Sequence, residues 1–457
     1  MTHTSRTQRG LFTILSLLLS LSLLNACRGG TSSTTNQQQP LQNVKVSQSK
    51  YAAYGEPYLA VNPDNPHNLL GAAQDIDASS WPKPGTFASF DAGMTWQDNG
   101  ALSLPQGEKG GGDVTVAFSS QGIGYVASNA GASWQINSVL VWRTENGGKS
   151  FSQPVEVSQD RNEQVDHPWI AIDTTHGSHA GTLYVVWAAD DPHTYPLHSS
   201  LLFSRSTDSG RTFETPRTIV HAMNTFPAVV VLNVGADGSV NVFYALVDGS
   251  RSPFEPPYSA FSRQFISSSD GGKTFGTPHT ISQSPVFLSV GPMTMANIQA
   301  AAADPKGDHL YVTMAAYRAG TSHTDILLWS SQNHGQTWTG PVYVNNDPMT
   351  SPMDCFQPQI VVTQQGIVYV SYFKLVQGRV DVFLAQSTTH GASFQSIRQV
   401  NNASFDPALG DQHREKGGWI GDYQGLAAWN ENIYPFWNDT RTGHMEIFTV
   451  AIQGDGF

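Results

Sequence analysis

The sequence contains few charged residues and no excess of basic side chains. Charged residues make up 13% of the 457 residues, and the formal net charge at pH 7 is −12. This acidic balance argues against a nucleic-acid partner, because Lys and Arg must neutralise phosphates at such a surface. It also argues against a basic patch that binds a membrane surface. We therefore expect no nucleic acid among the partners.

Cysteine is also scarce, and the familiar cofactor motifs are absent. Only Cys27 and Cys355 occur, so at most one disulfide is available. No His-Glu-x-x-His motif is present, and the 15 histidines show no metal-ligand spacing. The glycine-rich segment 109–112 is not followed by the helix that a phosphate-binding loop requires. The sequence therefore predicts no cofactor and no metal ligands.

Glycine, proline and aromatic residues are abundant instead. The chain has 42 Gly, 26 Pro, 22 Phe, 15 Tyr and 11 Trp. This mixture favours many short strands joined by tight turns, whereas helices would be richer in Ala, Glu, Lys and Leu. Length alone suggests two or three domains, but a repeat fold can absorb roughly 400 residues in one domain. The composition predicts an all-β protein.

The N-terminus has the features of an export signal. Arg6 and Arg9 precede an apolar run over residues 11–24, which is too short to span a bilayer comfortably. The run ends in Leu24-Asn25-Ala26-Cys27, which resembles the bacterial lipobox. The resemblance implies a signal peptide over residues 1–26, cleavage before Cys27 and a diacylglycerol on its sulfur. An uncleaved anchor helix and a soluble secreted form are the alternatives.

Residues 27–42 form the predicted tether between this lipid and the body of the protein. Residues 28–42 have almost no apolar content, so they cannot bury enough surface to order themselves. We expect an exported lipoprotein on the outer side of the cytoplasmic membrane or on the cell surface, in contact with the membrane through the lipid alone. Cys355 then has no partner, and we expect a buried, inert thiol.

One short pattern, Ser/Thr-x-Asp/Asn-x-Gly-x-Ser/Thr-Trp/Phe, occurs six times. The matching stretches are 89–96, 144–151, 206–213, 268–275, 331–338 and 387–394. The sixth is degenerate, with Thr389 where the others have Asp or Asn. The third positions are separated by 55, 62, 62, 63 and 56 residues, and this near-constant period predicts a repeat fold.

The residue types of the pattern suit a reinforced hairpin turn. Asp or Asn can cap backbone N–H groups, and Gly adopts a positive φ without steric cost. The hydroxyl residues add local hydrogen bonds, and the terminal aromatic ring packs back onto the sheet. The alternative is that these carboxylates are catalytic. Since turn chemistry explains every position, we interpret the motif as structural.

The pattern resembles the Asp box of the BNR, or sialidase-like, β-propellers, and the resemblance covers residues 43–457. In that family the box joins the third and fourth strands of each blade. The rest of each repeat supports four strands. In the third repeat these are predicted at 167–174, 182–190, 200–208 and 212–221.

The end of the chain predicts the number of blades. Segments 423–431, 432–439 and 445–453 supply three strands, with no box and no fourth strand after them. Residues 42–48 closely match 153–159, the fourth strand of the second repeat. We therefore predict a seven-bladed β-propeller that the N-terminal strand closes, with residues 43–457 as one domain. A six-bladed propeller, as in catalytic sialidases, is the alternative.

Polar residues gather where a propeller has its ligand-binding mouth, at the starts of first strands and the ends of second strands. The candidate catalytic residues are Glu56, Asp113, Asp166, Asp422 and Tyr423. The candidate ligand-binding residues are His167, Trp169, Arg318, Gln357 and Arg441. Acids predominate on blades 1 to 4 and bases on blades 5 to 7, as a polar ligand would require. The alternative is that charged residues simply end strands on a soluble surface.

Three tryptophans, Trp81, Trp169 and Trp419, fall near the same face of the predicted propeller. Sugar rings stack on indoles through their apolar faces, so these side chains are candidates for sugar contacts. Trp169 and Trp419 could equally pack between blades.

The resemblance to sialidases breaks down at the first strand. Members that cleave sialic acid share an Arg-Ile-Pro there, an arginine triad, a Tyr–Glu nucleophile pair and an Asp acid. This chain has Gly55-Glu56-Pro57 instead, with an acid that would repel the carboxylate of a sialic acid. A rearranged triad could come from arginines in the mouth-side connections, namely Arg161, Arg251, Arg318, Arg379, Arg414 and Arg441. Tyr423 could act with Glu415 or Glu56.

Three hypotheses therefore remain open. The first is a glycan-binding or glycoside-hydrolase-like protein in which paired carboxylates act as acid and base. The second is a non-catalytic scaffold that docks a protein or holds a structural Ca²⁺ in the acidic mouth. The third is an exo-sialidase with rearranged arginines. The sequence leaves open whether the protein is an enzyme. We expect a glycan partner and a monomer.

Overall fold

The computed structural model describes residues 41–48, 50–77, 81–132, 135–158, 160, 162–191, 198–223, 225–248, 262–284, 287–410 and 418–454. The predicted signal peptide and Cys27 lie outside the described residues, and so do Arg161, Arg251, Arg414 and Glu415. No helix in the described part of the chain is long and apolar enough to cross a membrane.

Seven antiparallel sheets, the blades, form the fold, and in six of them the strands pair in chain order. Blade 1 contains β2 (Ala53–Val61), β3 (Leu69–Ile76), β4 (Lys83–Ser89) and β5 (Gln97–Ala101). Blade 2 contains β6 (Thr115–Phe118), β7 (Gly124–Ala130), β8 (Ser138–Thr144) and β9 (Val155–Glu156). Blade 3 contains β10 (Gln164–Ile172), β11 (Leu183–Asp191), β12 (His198–Ser206) and β13 (Arg217–Met223).

The next three blades repeat this arrangement. Blade 4 contains β14 (Thr225–Val234), β15 (Val240–Asp248), β16 (Ser262–Ser268) and β17 (His279–Gln283). Blade 5 contains β20 (Ala300–Ala303), β21 (Leu310–Tyr317), β22 (Thr324–Ser331) and β23 (Thr339–Tyr343). Blade 6 contains β24 (Asp354–Val362), β25 (Val368–Val376), β26 (Arg379–Ser387) and β27 (Ser396–Gln399). Between blades 4 and 5 lies a two-stranded hairpin, β18 (Phe287–Val290) and β19 (Met293–Ala296).

Blade 7 is built from both ends of the described chain. Its strands are β28 (Gly425–Trp429), β29 (Asn432–Asp439), β30 (Glu446–Thr449), β31 (Ile452–Gln453) and the N-terminal β1 (Val44–Lys45). Val44 pairs with Thr449 and Lys45 pairs with Phe448. The prediction of a seven-bladed propeller closed by the N-terminal strand is confirmed, and the six-bladed alternative is wrong. Closure covers the sheet edge that β30 would otherwise expose.

The predicted strands of the third repeat lie within a few residues of the observed ones, except for the fourth. That strand was predicted from residue 212 but begins at Arg217. The six repeated turns join third to fourth strands as predicted. A short 3₁₀ helix, Pro407–Leu409, precedes blade 7.

The second strands pack between neighbouring blades and are buried on both faces. Every residue of β3 and of β7 is buried, and Trp187 on β11 and Trp437 on β29 are fully enclosed. Burial of such large rings contributes about 2–3 kcal/mol each, so the core consists of inter-blade layers. Cys355 on β24 belongs to one of these layers, is fully buried and is a free thiol.

The repeated turns have the hydrogen bonds that their sequence predicts. In the third turn the Thr212 N–H donates to Asp208 Oδ1 at 2.9 Å and the Thr212 hydroxyl donates to Oδ2 at 2.6 Å. The Gly210 N–H donates to Ser206 Oγ at 2.9 Å, and Gly210 has a φ of 74°. A Cβ at Gly210 would lie 2.8 Å from the Tyr125 ring of the preceding blade. Both the positive φ and this close approach therefore require glycine here.

Candidate functional site

In five blades, one residue near the start of the first strand has a left-handed backbone conformation. These residues are Glu56 (φ 52°), Asp113 (φ 50°), His167 (φ 51°), Val229 (φ 47°) and Gln357 (φ 48°). In β2, β10, β14 and β24 the pairing register shifts at this point. Such bulges re-aim side chains, and each left-handed residue costs about 1–3 kcal/mol. Because the left-handed conformation occurs in five blades, we interpret it as a regular feature of the first strands in this fold.

A cavity of about 340 Å³ lies beside these strand starts, among blades 1, 2, 3 and 7. Its polar lining consists of Glu56, Gln74, Asp113, Asn129, Gln164, Asp166 and Asp422. All four carboxylates predicted to be catalytic therefore meet in one place. Among the residues that the structure describes, no Lys or Arg lines this cavity.

Asp113 and Asp166 form a hydrogen-bonded carboxyl pair. Burial, then the charge of Asp113, raise the pKa of Asp166 well above its ordinary value. Asp113 accepts hydrogen bonds from the backbone N–H of His167, at 3.3 Å, and from the side-chain amide of Asn129. The charge of Asp113 and its hydrogen bond to Asp166 both favour the protonated form of Asp166, so the proton of the pair resides on Asp166. The Asp166 side chain is nevertheless accessible from the cavity.

Glu56 occupies the wall formed by blade 1. It is 2% exposed, and its carboxylate accepts a hydrogen bond from the side-chain amide of Gln74 on β3. A Cβ at Gly112 would lie 2.5 Å from Gln74 Nε2, so the absence of a side chain there leaves room for this amide. On blade 7, Asp422 Oδ1 accepts a hydrogen bond from the Ala296 N–H at 3.0 Å. The cavity thus contains carboxylates in three different hydrogen-bonding environments.

Tyr423, His167 and Trp169 lie beneath the cavity in a buried aromatic cluster with Tyr58. The rings of His167 and Trp169 stack at 5.4 Å and 12°, and Tyr58 meets Trp169 edge-on at 4.9 Å. The Tyr423 hydroxyl donates to the Val114 carbonyl at 3.2 Å, which links blade 7 to blade 2. Burial, then the charge of Glu56, raise the pKa of Tyr423 well above its ordinary value. These three predicted site residues therefore pack the centre of the ring, and none lines the cavity.

The two predicted ligand-binding arginines lie elsewhere. Arg318 is 2% exposed and binds both carboxylate oxygens of Asp325, at 2.8 and 2.6 Å. Arg441 binds Asp439 through Nε and Nη2, at 2.9 and 2.6 Å, and lies over the Phe448 ring. Both guanidinium groups are thus used by the fold, and neither belongs to the cavity.

Gln357 lies near the cavity without lining it. Its side-chain amide donates to the Gly421 carbonyl, adjacent to Asp422. It therefore connects blade 6 to the segment that carries one of the cavity carboxylates. We interpret Gln357 as a residue that positions this segment.

Of the three tryptophans, Trp81 alone lines the cavity. Trp419 is 4% exposed, and two of its ring carbons would lie 2.7 Å from a Cβ at Gly55. An arginine at position 55, as the resemblance to sialidases would require, cannot be accommodated against this indole. The departure from Arg-Ile-Pro therefore has a packing reason.

Sequence reasoning missed the three amides of the cavity, which belong to Gln74, Asn129 and Gln164. Near the end of β3, Gln74 faces the cavity and the neighbouring Asp75 faces the opposite side of the sheet. Side chains alternate along a strand, so an error of one residue selects the wrong face. Asn129, near the end of β7, carries no charge and therefore gave no signal.

A structural Ca²⁺ in the acidic mouth stays a prediction. Ca²⁺ takes 6–8 oxygen ligands. Among the described residues, no three of the cavity carboxylates bring ligand oxygens within 4.8 Å of one another.

No family model matches the chain, and no curated protein matches it. Solved structures are similar in fold. An ulvan lyase of polysaccharide lyase family PL25, bound to a GlcA–Rha3S ligand, has a TM-score of 0.52 at 12% identity and covers 90% of this chain and 96% of its own. A protein of unknown function from Dyadobacter fermentans has a TM-score of 0.51 at 12% identity, over 91% and 98%. A Hadza microbial sialidase has a TM-score of 0.48 at 14% identity, over 87% and 75%.

At these identities the similarity shows a shared propeller fold. The lyase and the sialidase are named for activity on carbohydrates.

Proposed function

We propose that the cavity binds a glycan and that its carboxyl groups hydrolyse a glycosidic bond. The observation that carries the proposal is the Asp113–Asp166 pair, in which one carboxyl group keeps its proton within an accessible cavity. Glycoside hydrolysis uses one protonated and one ionised carboxyl group on either side of the scissile bond.

The roles follow from the environment of each group. Asp166, with its raised pKa, is the general acid that protonates the leaving oxygen. Glu56, whose carboxylate accepts a hydrogen bond from the Gln74 amide, is the general base that takes a proton from the water attacking the anomeric carbon. Asp113 holds the proton on Asp166 through its own negative charge. Asp422 completes the polar wall and hydrogen-bonds sugar hydroxyl groups.

Recognition of the sugar requires polar donors and an apolar face. The amides of Gln74, Asn129 and Gln164 line the cavity and match the hydroxyl groups of a pyranose or furanose ring. Trp81 supplies an indole on the same wall, on which the C–H face of a sugar stacks.

The charge of the cavity selects among glycans. Four acids and no described Lys or Arg line it, so a carboxylate or sulfate on the sugar would be repelled. We therefore propose a neutral glycan or an amino sugar as the ligand. The exo-sialidase alternative is disfavoured, since Arg318 and Arg441 are paired with aspartates outside the cavity.

The test is a screen of the purified full chain on a glycan array and on fluorogenic glycosides, sialosides included. Turnover that disappears in Asp166→Asn and Glu56→Gln but persists in Asp77→Asn would support hydrolysis; Asp77 is exposed and does not line the cavity. If the protein binds a glycan saturably without cleaving it, and Trp81→Ala loses this binding, then the cavity binds glycans but the hydrolysis part of the proposal is wrong. If the protein has an intact β-sheet circular-dichroism spectrum but neither binds nor cleaves any glycan of the panel, the proposal is contradicted and the docking scaffold is favoured.

We further propose that the chain is an exported, monomeric lipoprotein anchored through Cys27. The supporting observation is the apolar run that ends in Leu24-Asn25-Ala26-Cys27. A labelled fatty acid should be incorporated by the wild-type chain and not by Cys27→Ser. Labelling of the Cys27→Ser chain would contradict the proposal. Size-exclusion chromatography with light scattering measures the oligomeric state.

A further inference from the structure

A cluster of two imidazoles and one carboxylate joins blades 5 and 6. Asp304 and His309 belong to the turn between β20 and β21, and His390 belongs to the sixth repeated turn, between β26 and β27. Turns between first and second strands and between third and fourth strands share one face of a propeller. The cluster therefore lies on the face opposite the cavity and is independent of the proposed glycan site.

One ligand atom from each of these side chains lies within 4.8 Å of the other two. Among the described residues this is the only such group of His, Cys, Asp and Glu side chains. The rings of His309 and His390 face each other with centroids 4.9 Å apart and planes 18° apart.

The surroundings hold two of the three side chains in place. Asp304 is 5% exposed, and its Oδ1 accepts hydrogen bonds from the N–H groups of Lys306, at 2.9 Å, and Gly307, at 3.1 Å. Oδ2 remains for a ligand. His309 stacks on the Tyr311 ring at 6.0 Å and 11°.

Gly366 leaves open the space between the carboxylate and His390. A Cβ at this position would lie 3.2 Å from His390 Cε1 and 3.7 Å from Asp304 Oδ2. A side chain there would occupy the volume toward which both groups point.

The preceding repeated turn provides an internal comparison. His334 occupies the same turn position as His390, and both have a left-handed backbone, with φ of 55° and 51°. The neighbours of His334 are two acids, Asp237 at 3.0 Å and Asp308 at 3.8 Å, which is an ordinary ion-pair arrangement. At His390 an imidazole, His309, replaces one of the acids. Two imidazoles and one carboxylate are a common set of ligands for a divalent transition-metal ion.

We propose that Asp304, His309 and His390 bind a divalent transition-metal ion of the Zn²⁺ type. Two nitrogens and one carboxylate oxygen form a three-ligand zinc set and leave the fourth position open to water. Because the ligands come from neighbouring blades, the ion clamps blade 5 to blade 6. Sequence spacing gives no hint of the site, since its ligands belong to different repeats.

The test is calorimetric titration of the metal-depleted full chain with Zn²⁺, together with the visible spectrum of the Co²⁺ form. We expect a saturable site whose affinity falls at least about tenfold in His390→Asn and in Asp304→Asn. Asn tolerates the left-handed backbone at position 390 and still caps the turn at position 304, so both variants should fold. The matched control, His334→Asn, should retain the affinity.

A second readout is thermal unfolding. A metal that binds only the folded chain raises the melting temperature by mass action, and this rise should be present in His334→Asn and absent in His390→Asn. Equal loss of affinity in the control, unchanged affinity in His390→Asn, or no saturable Zn²⁺ binding by the wild type would each overturn the proposal.

Discussion

Asp75 offers a sharp test of how burial acts on a carboxyl group in this fold. It lies near the end of β3, on the side of the sheet away from the cavity, in the space that Gly85 leaves by lacking a side chain. Burial, then the charge of Asp98, raise the pKa of Asp75 from 3.8 to about 8, while Lys50 and Tyr51 lower it less. The change we propose is Asp75→Asn, which keeps the shape and cannot ionise.

The sign follows from proton binding. Between pH 4 and 8 the folded chain keeps the Asp75 proton and the unfolded chain loses it, so the free energy of unfolding falls as pH rises and levels off above pH 8. Each pH unit in this window lowers the free energy of unfolding by about 1.4 kcal/mol. From pH 5 to pH 7 the wild type should therefore lose about 2.5 kcal/mol relative to Asp75→Asn.

The assay is urea unfolding of both proteins at pH 5, 6, 7 and 8, followed by tryptophan fluorescence. Other acids whose pKa values are raised, such as Asp166, are common to both proteins and cancel in the difference. The exposed Asp77→Asn should follow the wild type at every pH. Parallel pH profiles for wild type and Asp75→Asn would refute the reasoning.

Three further predictions concern the packing, the turns and the cavity. Gly55→Ala should lower the free energy of unfolding by about 1–3 kcal/mol in urea titrations, because the new methyl group meets Trp419 at 2.7 Å; unchanged stability would show that the indole yields. Asp208→Ala should cost about 1 kcal/mol, and Asp208→Asn much less because other turns of this chain use Asn there; equal losses would contradict the capping role. If hydrolysis is found, it should fall as pH rises through the raised pKa of Asp166, and Asp166→Asn should reduce kcat by about 10²–10⁴-fold; a pH profile without this limb would exclude Asp166 as the acid.

The fold was predictable because the signal is repeated. Six turns at a near-constant spacing, together with the match between residues 42–48 and 153–159, were enough to predict seven blades and the closing strand. Each turn is a local structure whose hydrogen bonds join residues no more than four apart, as Asp208 and Thr212 show. Local chemistry of this kind is visible in a sequence.

The site was predictable only in part. Glu56, Asp113, Asp166 and Asp422 were placed correctly at strand starts, and the structure brings them to one cavity. Their neighbours depend on orientation rather than on position. The left-handed conformation at residues such as His167 turns some side chains into the core, and no residue type there signals it, since Glu, Asp, His, Val and Gln all adopt it.

The arginines show a different limit. Arg318 and Arg441 stand at the ends of second strands, where a ligand-binding role was plausible. Their partners, Asp325 and Asp439, lie within seven residues of them in the sequence. An arginine that binds a ligand can also have an aspartate this close in the sequence, so the sequence does not separate the two roles. Charge alone does not distinguish an arginine that binds a ligand from one that holds a loop.

The closing of the ring by β1 also sets the order of events during synthesis. The ribosome makes β1 first and β30, the strand with which it pairs, about 400 residues later. At roughly 5–20 residues per second, the interval is on the order of 20–80 s, during which blades 1 to 6 can form but the ring cannot shut. A chain released before residue 446 would lack the strand that receives β1. Ring closure by β1 therefore requires that translation has passed Thr449, the last residue with which β1 pairs.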